Sequence, residues 1–449
     1  MRTTILSRRR FLRHVGLGGA VAALTAANWS RVYGASEKLR LASVGVGGKG
    51  WSDLNGVAAS PDVSVVALCD IDDTEKHMGR AAVKHPATAR FTDWRRLLDK
   101  HKEFDAVTVS TPDHMHAPIA LAAMALGKHV FCQKPLTHTV HEARQMRLAA
   151  KKHGVVTQMG NQIQSHEAYR TAVRLVRDGA IGKVKEVHSW QSARMRWLTV
   201  DDRPAGEDPV PDTLHGWDNW LGPAPARPFK EKVYHSWNWR AWQDFSNGQL
   251  GDFGCHILDP VFTALGLTAP LTVRGESSPL NREVWYKWSV VEYEFPGTPQ
   301  TAGKTLKLTW YDGEGKLPPR DRLGLPADFK LPNSGSLLIG EKGSLLVPHI
   351  AAPRLFPEAT FKGFTVEKVP GVDHYVGWAD ACRGTGKTAS HFDYAGPLTE
   401  AVLLGTVAVR LPGEKLTWDA AGLRVTNSSS ANGLLRKEYR KGWEPMWVS

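Results

Sequence analysis

Short, continuous apolar runs alternate with amphipathic segments over the first third of the chain. The runs cover residues 39–45, 63–69, 104–110 and 128–132. A run that is apolar at nearly every position is typical of a strand that is buried on both faces, as in a parallel sheet flanked by helices. The pattern up to about residue 160 therefore predicts a doubly wound α/β sheet.

The hydrophobic pattern changes in the rest of the chain. Segments at 182–191, 305–311, 336–339 and 344–347 read as strands, and several of them alternate in polarity. A helix is predicted over 398–405, and we expect it to pack back on the first domain. The chain has 449 residues, which is enough for two domains with a core each.

A basic and then apolar segment precedes the first predicted strand. Residues 7–13 read Ser-Arg-Arg-Arg-Phe-Leu-Arg and resemble a twin-arginine export signal. The apolar stretch 15–27 is too short to span a bilayer. We therefore expect residues 1–35 to be a signal peptide, cleaved after Ala27 or near Gly34. The mature protein should be exported folded, periplasmic, and not stably inserted in a membrane.

Charge and cysteine content argue against two further classes of protein. The formal net charge is +12, but six of the positive charges are arginines that precede the first acidic residue, Glu37. The remaining chain has no dense run of lysine and arginine, so we expect no nucleic-acid partner. The four cysteines are too few and too widely spaced for a disulfide framework. We expect them to be buried free thiols.

The turn after the first predicted strand carries a dinucleotide-binding fingerprint. Gly45, Gly47, Gly48 and Gly50 lie in the sequence Gly-Val-Gly-Gly-Lys-Gly. Such glycines allow a tight turn, the approach of a pyrophosphate, and close packing of helix on strand. Asp70 ends the next strand, where a carboxylate accepts from ribose hydroxyls and repels a 2′-phosphate. The sequence thus predicts NAD rather than NADP, unless Asp70 is only a turn residue.

Together with later motifs, this fingerprint resembles the Gfo/Idh/MocA oxidoreductase family. The matching motifs are Asp70, Thr111-Pro112-Asp113-His114, Lys134-Pro135 and the glycine-rich stretch 248–259. Segments 158–162 and 220–225 are similar to the exported branch of that family.

The resemblance implies a fold and an assembly. A Rossmann domain is expected over residues 38–160, with a doubly wound parallel sheet. A larger α/β domain with a large, open, mostly antiparallel sheet is expected over residues 161–449. A homo-oligomer is also expected, because the open sheets of this family commonly pair face to face.

The resemblance also implies the catalytic residues. Lys134 carries over from the family's Glu-Lys-Pro motif, in which the lysine lies beside the nicotinamide and the substrate hydroxyl. Asp252 and His256 are four residues apart, hence on one face if the segment is helical. We expect His256 to share the acid–base work with Lys134, and Asp252 to orient it or to contact a sugar hydroxyl.

Position 133 departs from the family, because Gln133 replaces the glutamate of that motif. An amide removes a negative charge near Lys134, and we hypothesise that this lets the lysine lose its proton more readily. The alternative is that Gln133 is a neutral variant of the exported branch.

A histidine-rich loop is expected to border the nicotinamide. The family's Thr-Pro-x-x-x-His loop lies there, so we interpret this loop as a cofactor contact rather than a metal site, and expect no metal. The expected contacts in this part of the chain are Thr111, Pro112, His114, His116, Gln133 and Lys134.

Tryptophan is abundant between residues 190 and 242, and the chain has 17 in all. Aromatic faces stack on the apolar faces of sugar rings, so the segment 234–240, with Trp239 and Arg240, is the first candidate for carbohydrate contacts, together with Asp252. Asn161 and Tyr169, which follow the cofactor domain, are further candidates. The alternative is that most of the tryptophans fill the core.

Three functions remain open. The first is an exported NAD-dependent oxidoreductase that moves hydride between a CH–OH carbon of a sugar derivative and a tightly bound nicotinamide. The second is a redox-neutral glycosidase that oxidises, eliminates, hydrates and then reduces with the same hydride. The third is a non-catalytic carbohydrate-binding protein. Retention of Lys134, Asp252 and His256 together argues against the third.

Overall fold

The computed structural model describes residues 37–193 and 201–447. The expected signal peptide, residues 1–35, lies outside the described residues. Within the described part of the chain, no helix combines the length and the hydropathy that crossing a membrane would require.

A parallel sheet of six strands forms the first domain. Its strands are β1 (Leu39–Val44), β2 (Val63–Cys69), β3 (Ala89–Phe91), β4 (Ala106–Val109), β5 (His129–Cys132) and β6 (Thr157–Met159). They lie in the order β3-β2-β1-β4-β5-β6, and each neighbouring pair is parallel. Every residue of β4 is buried, because helices cover both faces of the sheet. The predicted doubly wound sheet is confirmed.

Helices that follow the strands cover this sheet. They are α1 (Gly48–Ala58), α2 (Arg80–Lys84), α3 (Trp94–Lys100), α4 (His116–Ala125) and α5 (Val140–His153). A capping box starts α5, since Thr139 and Glu142 each accept the other's backbone N–H, and Gly154 ends the helix with φ of +61°. By contrast, α1 begins at Gly47 with no side-chain cap.

The second domain is built on a larger sheet, of nine strands. Its strands are β7 (Val184–Gln191), β8 (Thr272–Ser277), β9 (Trp288–Pro296), β10 (Thr305–Gly313), β11 (Ser334–Gly340), β12 (Ser344–Pro348), β13 (Arg354–Phe356), β14 (Lys415–Asp419) and β15 (Arg424–Val425). The order is β13-β12-β11-β7-β10-β9-β8-β14-β15. Only the β7–β10 pair is parallel among these described strands. The expected mostly antiparallel sheet is confirmed.

The remaining helices are α6 (Glu167–Arg177), α7 (Trp217–Leu221), α8 (Gly248–Ile257), α9 (Asp259–Leu265), α10 (His374–Cys382), α11 (Phe392–Ala408) and α12 (Ser429–Leu434). Two of them, α10 and α11, belong to the last part of the chain and pack back on the first domain. Helix α10 packs on α1, with Trp378 fully buried against Leu54 and Phe131. Helix α11 packs on both α5 and α8, so it joins the two domains.

One face of the large sheet is covered by the chain itself. Leu323, Leu325, Phe329 and Leu331 pack on the apolar side chains of that face around Trp190. This cover lies on the side of the sheet opposite to α8 and α9. The expected homo-oligomer stays a prediction, and any face-to-face pairing must accommodate this segment.

The cysteines are buried free thiols, as predicted. Burial raises the pKa of Cys255 to about 12 and raises the pKa of Cys69, Cys132 and Cys382 well above the usual value. Their thiolate forms are therefore disfavoured, and their role is packing.

The junction between α5 and α11 yields a test of the fold. Arg144 donates to both carboxylate oxygens of Glu400 at 2.8 Å, and Glu400 is buried. Arg144→Met should lower the free energy of unfolding by about 2–3 kcal/mol, because a buried carboxylate loses its partner. Urea unfolding of Arg144→Met and of the double variant with Glu400→Leu measures this, and the double variant should recover part of the loss. The exposed pair of Lys368 with Glu167 offers the control, since Lys368→Met should change nothing measurable. If Arg144→Met and Lys368→Met lowered the free energy of unfolding equally, the stabilising role assigned to the Arg144–Glu400 pair would be wrong.

Candidate active site

A cleft of about 440 Å³ lies where the two domains meet. The loops at the carboxyl ends of β1, β2, β4 and β5 form one wall, as expected for an open parallel sheet. One face of α8, with Asp252 and His256, and a segment that we call the strap, residues 213–240, form the other. The cleft brings together predicted residues from both domains: Gly45, Gly47, Gly48, Asp70, Thr111, Pro112, Gln133, Lys134, Trp239, Arg240, Asp252 and His256.

The glycine loop fits a dinucleotide. Gly45 has φ of +76°, a conformation that favours glycine. A Cβ at Gly50 would lie 1.9 Å from the carbonyl oxygen of Gly45, so the helix and the loop pack without room for a side chain. The uncapped N-terminus of α1 points its free N–H groups at this loop, where a pyrophosphate is favoured. Gly50 serves packing and does not line the cleft.

Asp70 holds the glycine loop in shape. Its Oδ2 accepts hydrogen bonds from the backbone N–H of Val46 at 2.8 Å and of Gly47 at 3.2 Å. The same carboxylate lines the cleft beside His77, whose imidazole occupies the space that a Cβ at Gly47 would need. A carboxylate in this place fits a ribose diol and disfavours a 2′-phosphate.

Below the glycine loop lies a buried carboxylate, Asp53, with four partners. Gln133 Nε2 and Ser110 Oγ donate to Asp53 Oδ2 at 2.8 Å, Tyr375 donates to Oδ1 at 2.9 Å, and Lys49 lies at 2.9 Å. A glutamate at position 133 would place a second carboxylate against Asp53. The amide of Gln133 therefore serves as a donor to Asp53. This contact explains why glutamine replaces the family's glutamate at position 133.

The centre of the cleft is an ion pair between the domains. Lys134 Nζ donates to Asp252 Oδ1 at 2.5 Å and to the Asp252 backbone carbonyl at 2.7 Å. Arg240 Nε lies 3.7 Å from the same Oδ1. Burial works to raise the pKa of Asp252, but the charges of Lys134 and Arg240 outweigh it, so its pKa lies below the usual value. Asp252 is thus a fixed anion.

His256 faces the same cleft one helical turn after Asp252. Its Nδ1 is buried and has no hydrogen-bond partner within the described part of the chain. Burial lowers the pKa of His256 well below the usual value, and the charge of Lys134 adds to the effect. The imidazole is therefore neutral near pH 7.

Asp113 is a third carboxyl group in the cleft, and it was not among the predicted site residues. It accepts from the backbone N–H and the side-chain amide of Asn247 at 3.2 and 3.3 Å, just before α8 begins. Burial raises the pKa of Asp113 to about 7, against the pull of Lys134 and helped by the charge of Asp252. The sequence predicted the loop Thr111-Pro112-Asp113-His114 as a cofactor contact, but it gave Asp113 no role of its own.

Besides Gly50, four predicted residues lie away from the cleft. His114 contacts the Trp220 carbonyl at 3.0 Å, and His116 lies 2.9 Å from the carbonyls of both Thr111 and Pro135. Burial lowers the pKa of His114 to about 3 and that of His116 to about 4, so both are neutral. They hold the loops that carry Thr111 and Lys134, instead of contacting the cofactor directly.

The other two are the expected sugar contacts that follow the first domain. Asn161 is fully buried, and its amide donates to Asp259 Oδ1 at 3.1 Å. Tyr169 is buried with its hydroxyl 2.8 Å from His349 Nδ1, and the His349 ring packs 5.7 Å from that of His256. Both support the wall behind α8 and do not reach the cleft.

The strap brings His235 and Trp237, which belong to the predicted segment 234–240, to the same cleft. His235 Nε2 lies 2.7 Å from Asp72 Oδ2, and His77 Nε2 lies 3.5 Å from the same oxygen. Trp220 and Trp237 also line the cleft. The Asp72, His77 and His235 atoms are within 4.8 Å of one another, and we interpret them as a hydrogen-bonded contact between the strap and the β2 loop. The expected absence of a metal stays a prediction.

Comparison with known proteins agrees with this geometry. Residues 39–161 match the model of an oxidoreductase family with an NAD-binding Rossmann fold, and residues 169–302 match the C-terminal α/β domain of the same family. The WlbA dehydrogenase from Bordetella pertussis, solved in complex with NADH and UDP-GlcNAcA, superposes with a TM-score of 0.60. It is 16% identical and the match covers 85% of this chain and 99% of that one, which shows the fold.

Curated relatives match shorter stretches. A levoglucosan dehydrogenase from Pseudarthrobacter phenanthrenivorans is 36% identical over 21% of this chain and 24% of its own length. A glycosyl hydrolase family 109 protein from Stenotrophomonas maltophilia is 30% identical over 40% of each chain. The chain thus spans less than half the length of these relatives.

The buried carboxyl of Asp113 predicts a pH effect on stability. Its pKa is about 7 in the folded protein, against about 4 for an exposed carboxyl. The folded state binds the proton of the Asp113 carboxyl more tightly than the unfolded state does. The stabilisation that comes from this proton is therefore complete below about pH 4 and is lost by about pH 7. Asp113→Asn stays neutral throughout.

The melting temperature of Asp113→Asn, relative to the unaltered protein, should rise steadily from acid pH to neutral and then level off. Thermal melts across that range measure it. Asp328, an exposed carboxylate, provides the control, because Asp328→Asn should run parallel to the unaltered protein. A parallel course for Asp113→Asn would show that the carboxyl of Asp113 ionises normally.

Proposed function

The chain belongs to the Gfo/Idh/MocA oxidoreductase family, and from this premise we propose that it is an exported NAD-dependent oxidoreductase acting on a sugar or sugar derivative. The observation that carries the proposal is the meeting of Lys134, Asp252 and His256 with the glycine loop in one cleft. NAD, when bound, supplies the hydride acceptor.

The side chains divide the proton chemistry among them. Oxidation of a CH–OH carbon requires its hydroxyl to lose a proton as the carbonyl forms. Lys134, paired with Asp252 at 2.5 Å, orients the hydroxyl and stabilises the negative charge that develops on its oxygen. His256, neutral with an unpartnered Nδ1, is the group that can take the proton.

Aromatic and cationic side chains on the strap support a carbohydrate substrate. The Arg240 guanidinium lies 4.2 Å from the ring centroids of both Trp237 and Trp239. This stacking leaves a flat apolar surface and a fork of donors beside Asp252, a combination that suits a sugar ring and its hydroxyls. Trp237 is 53% exposed, which is unusual for tryptophan unless a ligand covers it.

Contacts between the strap and the β2 loop support a retained cofactor. Asp73 N–H donates to the Thr213 carbonyl at 2.9 Å and His215 N–H donates to the Ile71 carbonyl at 2.6 Å. With the His235–Asp72 contact, these bonds close the cleft on the side of Asp70. A bound dinucleotide could leave only after they break, so we propose slow release. The twin-arginine-like segment at residues 7–13 supports export of the folded, loaded protein.

Purification without added nucleotide tests retention. Denaturation of the mature protein should release about one NAD per chain, identified by mass and absorbance. His235→Ala should lower this occupancy, because the strap loses its contact with Asp72. His391→Ala, at an exposed histidine just before α11, serves as the control. An empty protein that binds NAD reversibly would overturn retention and point to an exchanging dehydrogenase.

A redox-neutral glycosidase is the second candidate. Relatives named as glycosyl hydrolase family 109 proteins favour it, and so does a closed cleft, because the same hydride returns in each turnover. Release of phenol from aryl glycosides with no added nicotinamide should be seen if this candidate is right. Oxidation of free sugars coupled to a second substrate, with no glycoside cleavage, would decide for the oxidoreductase.

Kinetics of single variants test the proton assignments. Lys134→Ala and His256→Ala should each lower kcat/KM by about 10²–10⁴-fold, with the content of bound NAD unchanged. Lys151→Ala, on the exposed face of α5, should leave both quantities unchanged. Sugar binding that persists with no activity in any assay, before and after Lys134→Ala, would instead support a carbohydrate-binding protein.

A further inference from the structure

A second cavity, of about 630 Å³, shares no residue with the cleft. Five segments of the chain meet there: the beginning of α5, the turn before α8, the loop between β8 and β9, the end of α11 and the C-terminal segment. One side of the cavity is apolar, formed by Leu403, Val407 and Leu411 of α11 and its continuation. Nothing in the proposed reaction uses it.

The charged groups of this cavity are almost all positive. Arg282, Arg410, Arg436 and Lys437 line it, and Asp244 is its one carboxylate among the described residues. Two of these charges are already neutralised. Asp244 is bonded to Arg227, and Lys437 lies 3.0 Å from Glu142.

Three guanidinium groups remain without a carboxylate partner in the described part of the chain. Arg282 and Arg436 are exposed at the mouth of the cavity. Arg410 differs, because its Nε is buried with no hydrogen-bond partner, and its guanidinium lies 4.6 Å from the Trp285 ring centroid. Burial lowers the pKa of Arg410 to about 10. The charge of Asp244 opposes this effect, but Asp244 is bonded to Arg227 and not to Arg410. A cation that is withdrawn from water without a bonded anion lowers stability.

We propose that this cavity binds a small organic anion, a molecule that carries a carboxylate or phosphate group on an apolar body. Arg410 holds the anionic group, since a guanidinium fork matches the paired oxygens of carboxylate and phosphate. Arg282 and Arg436 complete the charge at the mouth. The apolar body packs on Leu403, Val407 and Leu411. A long polyanion does not fit, because only a small part of it could enter a cavity of this size.

Arg410→Met gives the proposal a signature that a structural arginine would not show. Methionine keeps the apolar stem on Trp285 and removes the unpaired charge. Without ligand, the variant should therefore melt at the same temperature as the unaltered protein or higher. If Arg410 only supports the fold, the variant should melt lower.

The probes are phenyl phosphate, benzoate and inorganic phosphate, with benzyl alcohol as the neutral analogue, followed by calorimetry and thermal melts on the full mature protein. We expect phenyl phosphate or benzoate to bind and to raise the melting temperature, and benzyl alcohol to do neither. Which of the two anions binds more tightly decides between phosphate and carboxylate. Inorganic phosphate should bind more weakly, because it buries no apolar surface.

Binding of the better anion should weaken at least about tenfold in Arg410→Met, and severalfold in Arg436→Gln, which keeps the proposal testable if Arg410→Met does not fold. The matched control is Arg354→Met. Like Arg410, Arg354 lies over an aromatic ring: its guanidinium is 4.9 Å from the Phe329 ring centroid. Arg354 is exposed and paired with Glu358, so its loss should leave anion binding unchanged. The proposal is overturned if no anion binds at millimolar concentration, or if both cavity variants bind as tightly as the unaltered protein.

Discussion

The ion pair between Lys134 and Asp252 is the contact on which the arrangement of the cleft depends. Lys134 follows β5 of the first domain and Asp252 lies in the first half of α8 of the second, so the pair joins the two walls at their centre. Because both side chains are largely withdrawn from water, the pair must be kept together or each charge becomes costly. That requirement positions α8 and, with it, His256.

Several buried polar groups support this pair from behind. Asn247, at the start of α8, bonds to Asp113 of the β4 loop, and His116 links the β4 loop to the carbonyl of Pro135. The three loops that meet at the cleft are thus bound to one another by buried polar groups. Such an arrangement keeps the cleft preorganised for a developing oxyanion, because its dipoles need not reorient during the reaction.

The strap forms the part of the cleft wall that a dinucleotide would have to pass. Its contacts with the β2 loop are few and polar, whereas its own Trp220, Leu221 and Tyr234 are buried in the main core. A contact made of a few hydrogen bonds opens far more readily than one made by core packing. We therefore expect the strap to separate from the β2 loop while the rest of the strap stays packed.

The sequence by itself determined the parallel sheet, the glycine loop and the four-residue spacing of Asp252 and His256, because these features depend on local pattern. The meeting of Lys134 with Asp252 and His256 was implied by the resemblance to the oxidoreductase family. Only the tertiary structure showed that His114, His116, Asn161 and Tyr169 support the cleft from outside it, and that the carboxyl of Asp113 lies within it. The direction and burial of a loop side chain are set by what packs on it from elsewhere in the chain, as Asn247 does on Asp113. The spacing of residues along the sequence does not indicate which distant residues become such partners.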